Sequence, residues 1–113
     1  MSCLFCAIVA GEIPATIVYQ DDEMLAFRDI NPQAPVHVLV IPRTHRETPG
    51  HLTSEDEALM GRVIRAASAV AQQEGIAESG YRLVVNAGTD ANQTVPHIHV
   101  HVLGGREMSW PPG

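Results

Sequence analysis

His97-Ile98-His99-Val100-His101-Val102-Leu103 sets a histidine at alternate positions three times over, with aliphatic residues between. Side chains along a strand point to opposite faces with period two. The stretch therefore predicts a strand over residues 97–103 with its three imidazoles on one face. Ile98, Val100 and Val102 turn to the other face, into a core, and Gly104-Gly105 ends the strand. Packing gives little reason to line up three imidazoles, because their charged forms repel one another.

Upstream, residues 81–86 read as another strand. Asn86-Ala87-Gly88-Thr89-Asp90-Ala91-Asn92-Gln93-Thr94 is a polar loop of small residues, able to turn N–H groups and the Thr94 hydroxyl toward an anion. The one long helix is expected over residues 55–74, where Leu59, Met60, Val63, Ile64, Ala67 and Val70 form an apolar stripe. Thr53 or Ser54 can cap it, Ser54 with Glu57 fits a capping box, and Gly75 sits where a left-handed C-terminal residue is wanted. Residues 15–19 and 24–28 read as strands around the turn Asp21-Asp22-Glu23, and residues 36–41 as a strand closed by Pro42. Residues 4–10 read as one or two helical turns ended by Gly11. Strands joined mostly by short loops, with one long helix, predict an α+β fold around a largely antiparallel sheet.

The 113 residues show no repeat, low-complexity run or linker, so a single domain over residues 1–113 is expected. The net charge of -6 and the absence of a basic block disfavour nucleic acid as a partner. All seven cationic side chains are arginine, which removes the P-loop, the Schiff base and the lysine base from consideration. With neither a signal-like N-terminus nor an apolar run of membrane-spanning length, a cytoplasmic protein without a membrane partner is expected.

Two chemical readings of the histidine stretch stand at this point. His-x-His on a strand can hold one metal ion with two nitrogens. Alternatively, one neutral imidazole attacks an electrophile while its neighbours position it and handle protons. A phosphate beside the histidines, cradled by the polar loop, favours the second.

Residues 97–103 resemble the His-φ-His-φ-His-φ-φ signature of the histidine-triad superfamily, φ being apolar. Residues 27–37, running through Asp29-Ile30-Asn31-Pro32 to His37, resemble its Hint branch, as does the ending Trp110-Pro111-Pro112-Gly113. The resemblance implies a five-stranded antiparallel sheet with one long and one short helix, and sheets joined in a two-fold homodimer. It implies hydrolysis of purine nucleoside phosphoramidates through a nucleotidyl-histidine intermediate, releasing AMP or GMP and an amine, without a catalytic cofactor.

By position, the resemblance makes His99 the nucleophile, gives His101 phosphate contact and proton handling, and makes His37 their support. It places Asp29 on the ribose hydroxyls and Ile30 on the base. Asn86, Asn92, Gln93 and Thr94 fall on the phosphate side, with Thr94 near the leaving group. Trp110 would reach the leaving-group side of the partner subunit. Thr94 stands where serine is common, Asn92 where glycine is common, and Pro96 where an aromatic is common; asparagine fits if its φ is positive. The alternatives are a nucleotide-binding interaction module with incidental hydrolysis and a dinucleoside polyphosphate hydrolase.

Cys3-x-x-Cys6 is by itself a weak signal, compatible with two free thiols or with half of a zinc site. In some bacterial histidine-triad proteins such a pair binds zinc with two histidines. The matching positions here are His45 and His97, and that zinc would be structural.

Overall fold

The computed structural model describes residues 3–113. Five strands form one antiparallel sheet: β1 (Ile17–Gln20), β2 (Met24–Arg28), β3 (Val36–Pro42), β4 (Tyr81–Val84) and β5 (Val100–Gly104). Their spatial order is β1-β2-β3-β5-β4. A short helix α1 (Leu4–Val9) precedes β1, and a long helix α2 (Glu57–Gln73) joins β3 to β4. The expected α+β fold is the observed one, and β2 falls on the expected residues.

Strand alternation divides the interior in two. Met24, Ala26, Val38, Val40, Val100 and Val102 turn to one face, where Val63, Ala66, Ala67 and Val70 of α2 cover them. Leu25, Phe27, Leu39 and Ile41 turn to the opposite face and meet Phe5 and Ile8 of α1. The α2 stripe is displaced from its sequence pattern: Ile64 is exposed, whereas Ala66 and Ala71 are buried. Those alanines let the helix lie close to the sheet.

The helix begins differently from expectation. Residues Ser54–Asp56 form a 3-10 turn, and the capping box joins Thr53 to Asp56, one residue before the Ser54/Glu57 pair. Arg46 pairs with the same Asp56 at 2.9 Å, which favours the earlier register. Gly75 has φ +78°, the left-handed conformation expected after the helix.

The last strand is shorter than the histidine pattern. Its ladder with β3 runs from Val36↔Gly104 to Val40↔Val100 and stops. Two residues further the register would set Ile98 opposite Pro42, which has no N–H to give. The Ile98 N–H donates instead to Arg46 O at 2.7 Å. His97 and His99 therefore lie before β5, with Pro96 in a bend, and only His101 lies within β5. β1 likewise starts at Ile17 and β4 ends at Val84, each strand shorter than its apolar run.

A Cβ on Gly104 would lie 2.5 Å from Ile76 Cδ1 and 3.1 Å from Ile76 Cβ, and Ile76 is buried in the α2-side core. Gly104→Val should therefore destabilise the fold by about 2–3 kcal/mol through overpacking. Urea unfolding checks this, and unchanged stability would show that Ile76 has room to move.

Candidate active site

The histidine face is the α1 side of the sheet, and α1 shields it from solvent. His97 and His99 are buried, and Phe5 stands edge-on to both, with ring centroids 5.9 and 5.0 Å away. Alternation holds through the segment even though the ladder does not. The three imidazoles nevertheless part company.

His97 turns away from the other two. Its Nε2–H donates to Pro42 O at 2.8 Å, which leaves Nδ1 bare. That nitrogen lies 3.4 Å from Cys3 Sγ, 3.6 Å from Cys6 Sγ and 3.3 Å from His45 Nδ1, while Cys6 Sγ is 3.3 Å from His45 Nδ1. A tetrahedral zinc ion with bonds of ~2.0–2.1 Å to nitrogen and ~2.3 Å to sulfur requires N···N edges of about 3.3 Å and S···N edges of about 3.5 Å. The four side chains match that tetrahedron. Burial, reinforced by the neighbouring Cys3 thiol, pushes the Cys6 thiol up, a cost that a coordinated cation would reverse. The cluster fits a structural metal with four protein ligands and no open position.

His99 and His101 face a cavity of about 300 Å³. His99 Nδ1 lies 2.7 Å from the carbonyl of His97, which can only accept, so Nδ1 carries the hydrogen and Nε2 carries the lone pair. Burial lowers the pKa of His99 below the ordinary histidine value, outweighing that carbonyl and Asp29, so the ring is neutral at pH 7.

His101 is oriented from the other side. The Gln33 N–H donates to His37 Nδ1 at 3.0 Å, so His37 carries its hydrogen on Nε2 and gives it to His101 Nδ1 at 2.9 Å. His101 must then present an N–H at Nε2. That nitrogen is buried and has no partner among the described residues. Asp29 completes the row: its Oδ1 accepts from the Asn31 N–H at 2.8 Å, and its Oδ2 is 3.4 Å from His37 Nε2. Asp29, His37 and His101 cluster closely, but the 2.9 Å between the two imidazoles is a hydrogen bond, shorter than the ligand–ligand edge of a metal site.

Burial, then the neighbouring His99 and His37, lowers the pKa of His101 to about 4. An unfolded histidine titrates near 6.5, so His101 contributes stability that is present above that pH. It is lost as pH falls from 6.5 through about 4. Urea unfolding across this window should fall less steeply with acid in His101→Asn than in wild type; identical slopes would contradict the burial argument.

Apart from Arg28 and Thr94 the remaining lining is apolar, with Leu4, Phe5, Ile8, Ile13, Pro14 and Ala15 on one side, Phe27 and Leu39 on the other, and Ile30 fully exposed at the mouth. The α1 side of this wall has no sequence signal beyond a short apolar run, because a six-residue helix has too few turns for a period. Gln33 was also invisible, since it acts through its backbone N–H.

The polar loop meets expectation unevenly. Thr94 lines the cavity. Asn92 has φ +64°, the conformation that lets asparagine stand in for glycine. The Gln93 amide is engaged within the protein: its Oε1 accepts from the Gly88 N–H, and its Nε2 donates to Glu47 O and Val95 O, which holds the loop in shape. Asn86 and Asn92 do not line the cavity, and neither does Trp110, which lies exposed with the Arg82 guanidinium 5.9 Å above its ring. A larger hollow of about 570 Å³ between the β1–β2 turn and α2 holds no histidine or cysteine.

Comparison with known proteins agrees with this geometry. The 14 kDa zinc-binding protein of Zea mays is 50% identical over 112 residues, covering 97% of this chain and 87% of that protein. The adenylylsulfatase HINT1 of Arabidopsis thaliana is 49% identical over 112 residues, covering 97% of this chain and 76% of that protein. The crystal structure of a HIT family hydrolase from Legionella pneumophila Philadelphia 1 superposes with a TM-score of 0.97 at 52% identity, over 99% of this chain and all of that one. The HIT domain family matches residues 10–108, and with its histidines arranged as described, this chain belongs to that family.

Proposed function

We propose that the protein hydrolyses purine nucleoside phosphoramidates, and that His99 carries the nucleotidyl group between two displacement steps. The observation that supports this most directly is the pairing of tautomers at one cavity. A bare, neutral imidazole nitrogen on His99 stands beside an unpartnered N–H on His101.

In the first step His99 Nε2 attacks the α-phosphorus; the Nε2–P bond forms as the P–N bond breaks, and the electron pair leaves on the amine, which takes a proton from solvent that the attacking water returns in the second step. The imidazole becomes cationic, and its Nδ1–H on the His97 carbonyl stabilises that charge. The His101 Nε2–H donates to a phosphoryl oxygen, held on target by His37. Water then attacks phosphorus and Nε2 leaves, giving the nucleoside monophosphate and restoring His99. Asp29, with Oδ1 steadied by Asn31, accepts from the ribose diol, and Ile30 with the apolar wall packs on the base. Thr94 meets the leaving-group side. Cys3, Cys6, His45 and His97 would hold a zinc ion that fastens α1, and with four protein ligands it would leave no position for substrate.

The Arabidopsis relative named an adenylylsulfatase favours a second reading, in which sulfate is the leaving group from the same phosphorus. Turnover measured on adenosine 5′-phosphoramidate, adenylyl sulfate and diadenosine polyphosphate separates the cases. The phosphoramidate should give the highest kcat/KM. A preference for the polyphosphate would overturn the assignment, and a preference for adenylyl sulfate would replace the leaving group.

The same proposal includes a two-fold dimer. β4 is an edge strand with one side of its ladder open, Val85 beyond it is exposed, and Trp110 sits 80% exposed beside it. Pairing two such edges removes an aggregation-prone border. Sedimentation should show a dimer at micromolar concentration. Removing residues 109–113 should change selectivity among amine leaving groups more than AMP affinity; a monomer, or unchanged selectivity, would refute the respective role.

A further inference from the structure

A helix of six residues cannot sustain itself in water, so α1 stands only through what it is attached to. Its backbone offers no attachment to the sheet. The Gly11 N–H returns to Ile8 O, and those of Glu12 and Ile13 both return to Ala7 O. The first backbone bond among the described residues from this end of the chain to the sheet's strands is Arg28 N–H to Thr16 O. Among the described residues, the polar links from residues 3–15 to the rest of the protein are the two thiols, lying against His45 and His97. The other attachment is apolar packing of residues such as Phe5 and Ile8 on the second core.

This same segment is one wall of the cavity, contributing Leu4, Phe5, Ile8, Ile13, Pro14 and Ala15. The reacting half is secured differently. His101 sits in the β3–β5 ladder, His37 in β3, and His99 is held by the His97 carbonyl. His97 keeps its hydrogen bond to Pro42 whatever occupies its other nitrogen. The half of the cavity that would receive the nucleoside thus depends on the thiol cluster, and the half that would break the bond depends on the sheet.

We infer that Cys3 and Cys6 are positioning residues for the nucleoside: metal shared with His45 and His97 clamps α1 against the sheet and thereby sets how tightly the nucleotide is held, not how fast its bond is broken. The inference rests on the nucleotide and zinc readings above. Its physical basis is preorganisation. A wall that opens locally must be ordered again each time a ligand binds, and that cost is subtracted from affinity. The chemical step starts from the bound state, after the ordering has occurred, and its groups are anchored elsewhere.

The test compares zinc-loaded wild-type protein with the same protein treated with chelator, its metal content measured. AMP affinity is read by calorimetry, steady-state turnover on adenosine 5′-phosphoramidate, and amide exchange segment by segment. Metal removal should raise both the AMP Kd and KM about tenfold or more, the scale expected when several side chains must be re-ordered. By the same argument kcat should stay within about threefold. Amides of α1 should exchange quickly while those of β3 and β5 stay slow, and added zinc should restore AMP affinity. Cys3→Ser/Cys6→Ser should behave as the chelated protein with or without zinc.

Unchanged AMP affinity after verified metal loss would overturn the clamp, as would a fall in kcat with KM unmoved. Protection lost to the same degree in α1 as in β3 and β5 would overturn it too, by showing that the metal holds the whole fold and not α1 in particular. Zinc-dependent AMP binding without phosphoramidate turnover would support the clamp while refuting the proposed reaction. Equally absent AMP binding in both states would refute both.

Discussion

His99→Ala should lower turnover on adenosine 5′-phosphoramidate by at least about a thousandfold, because no other group at the cavity offers a bare imidazole nitrogen to phosphorus. His101 directs an N–H there, and the ring of His37 is engaged at both nitrogens, by Gln33 and by His101. AMP should still bind to the variant, since Asp29, Ile30 and the apolar wall are untouched. Rapid quench of the wild-type reaction should trap an acid-labile nucleotidyl adduct on His99, and the variant should show none. Retention of more than about a tenth of wild-type turnover, worth only ~1.4 kcal/mol of barrier, would remove His99 as nucleophile. The His99→Ala protein should also keep its metal, because His99 lies outside the thiol cluster. Loss of metal in this variant would instead revive the triad as a shared ligand set.

Purified protein should contain about one zinc ion per chain, as a site with four protein ligands demands. Cys6→Ser, or chelation of the wild type, should lower the melting temperature by about 10 °C or more, since each kcal/mol of lost stability is worth ~4 °C at this chain length. The thiols are the reason for so large an effect. Without a cation, two sulfurs and two ring nitrogens crowd within 4.8 Å of one another. Scanning calorimetry with and without chelator checks the effect. A metal-free preparation of full stability would return the cysteines to the status of free thiols.

These two predictions draw on different layers of information. The amino-acid pattern determined by itself that the chain folds as α+β, that α2 stops before Gly75, and that β2 covers Met24–Arg28. It also placed the three histidines on one face, because strand alternation is local and survives where the ladder itself fails. Only tertiary structure decided what each histidine does. Cys3 and His97 stand 94 positions apart, and no periodicity reveals that their side chains meet. The tautomers of His97, His99 and His101 are set by the Pro42 and His97 carbonyls and by the Gln33 N–H relayed through His37. Backbone groups are the same at every residue, so which of them faces an imidazole is settled by the path of the chain. The end of the β3–β5 ladder followed from register, which pits Pro42 against Ile98, and not from the apolar content of either strand. Patterns of residue type carry faces and ends; the division of one histidine row into a metal ligand and a reacting pair needed the chain brought together in space.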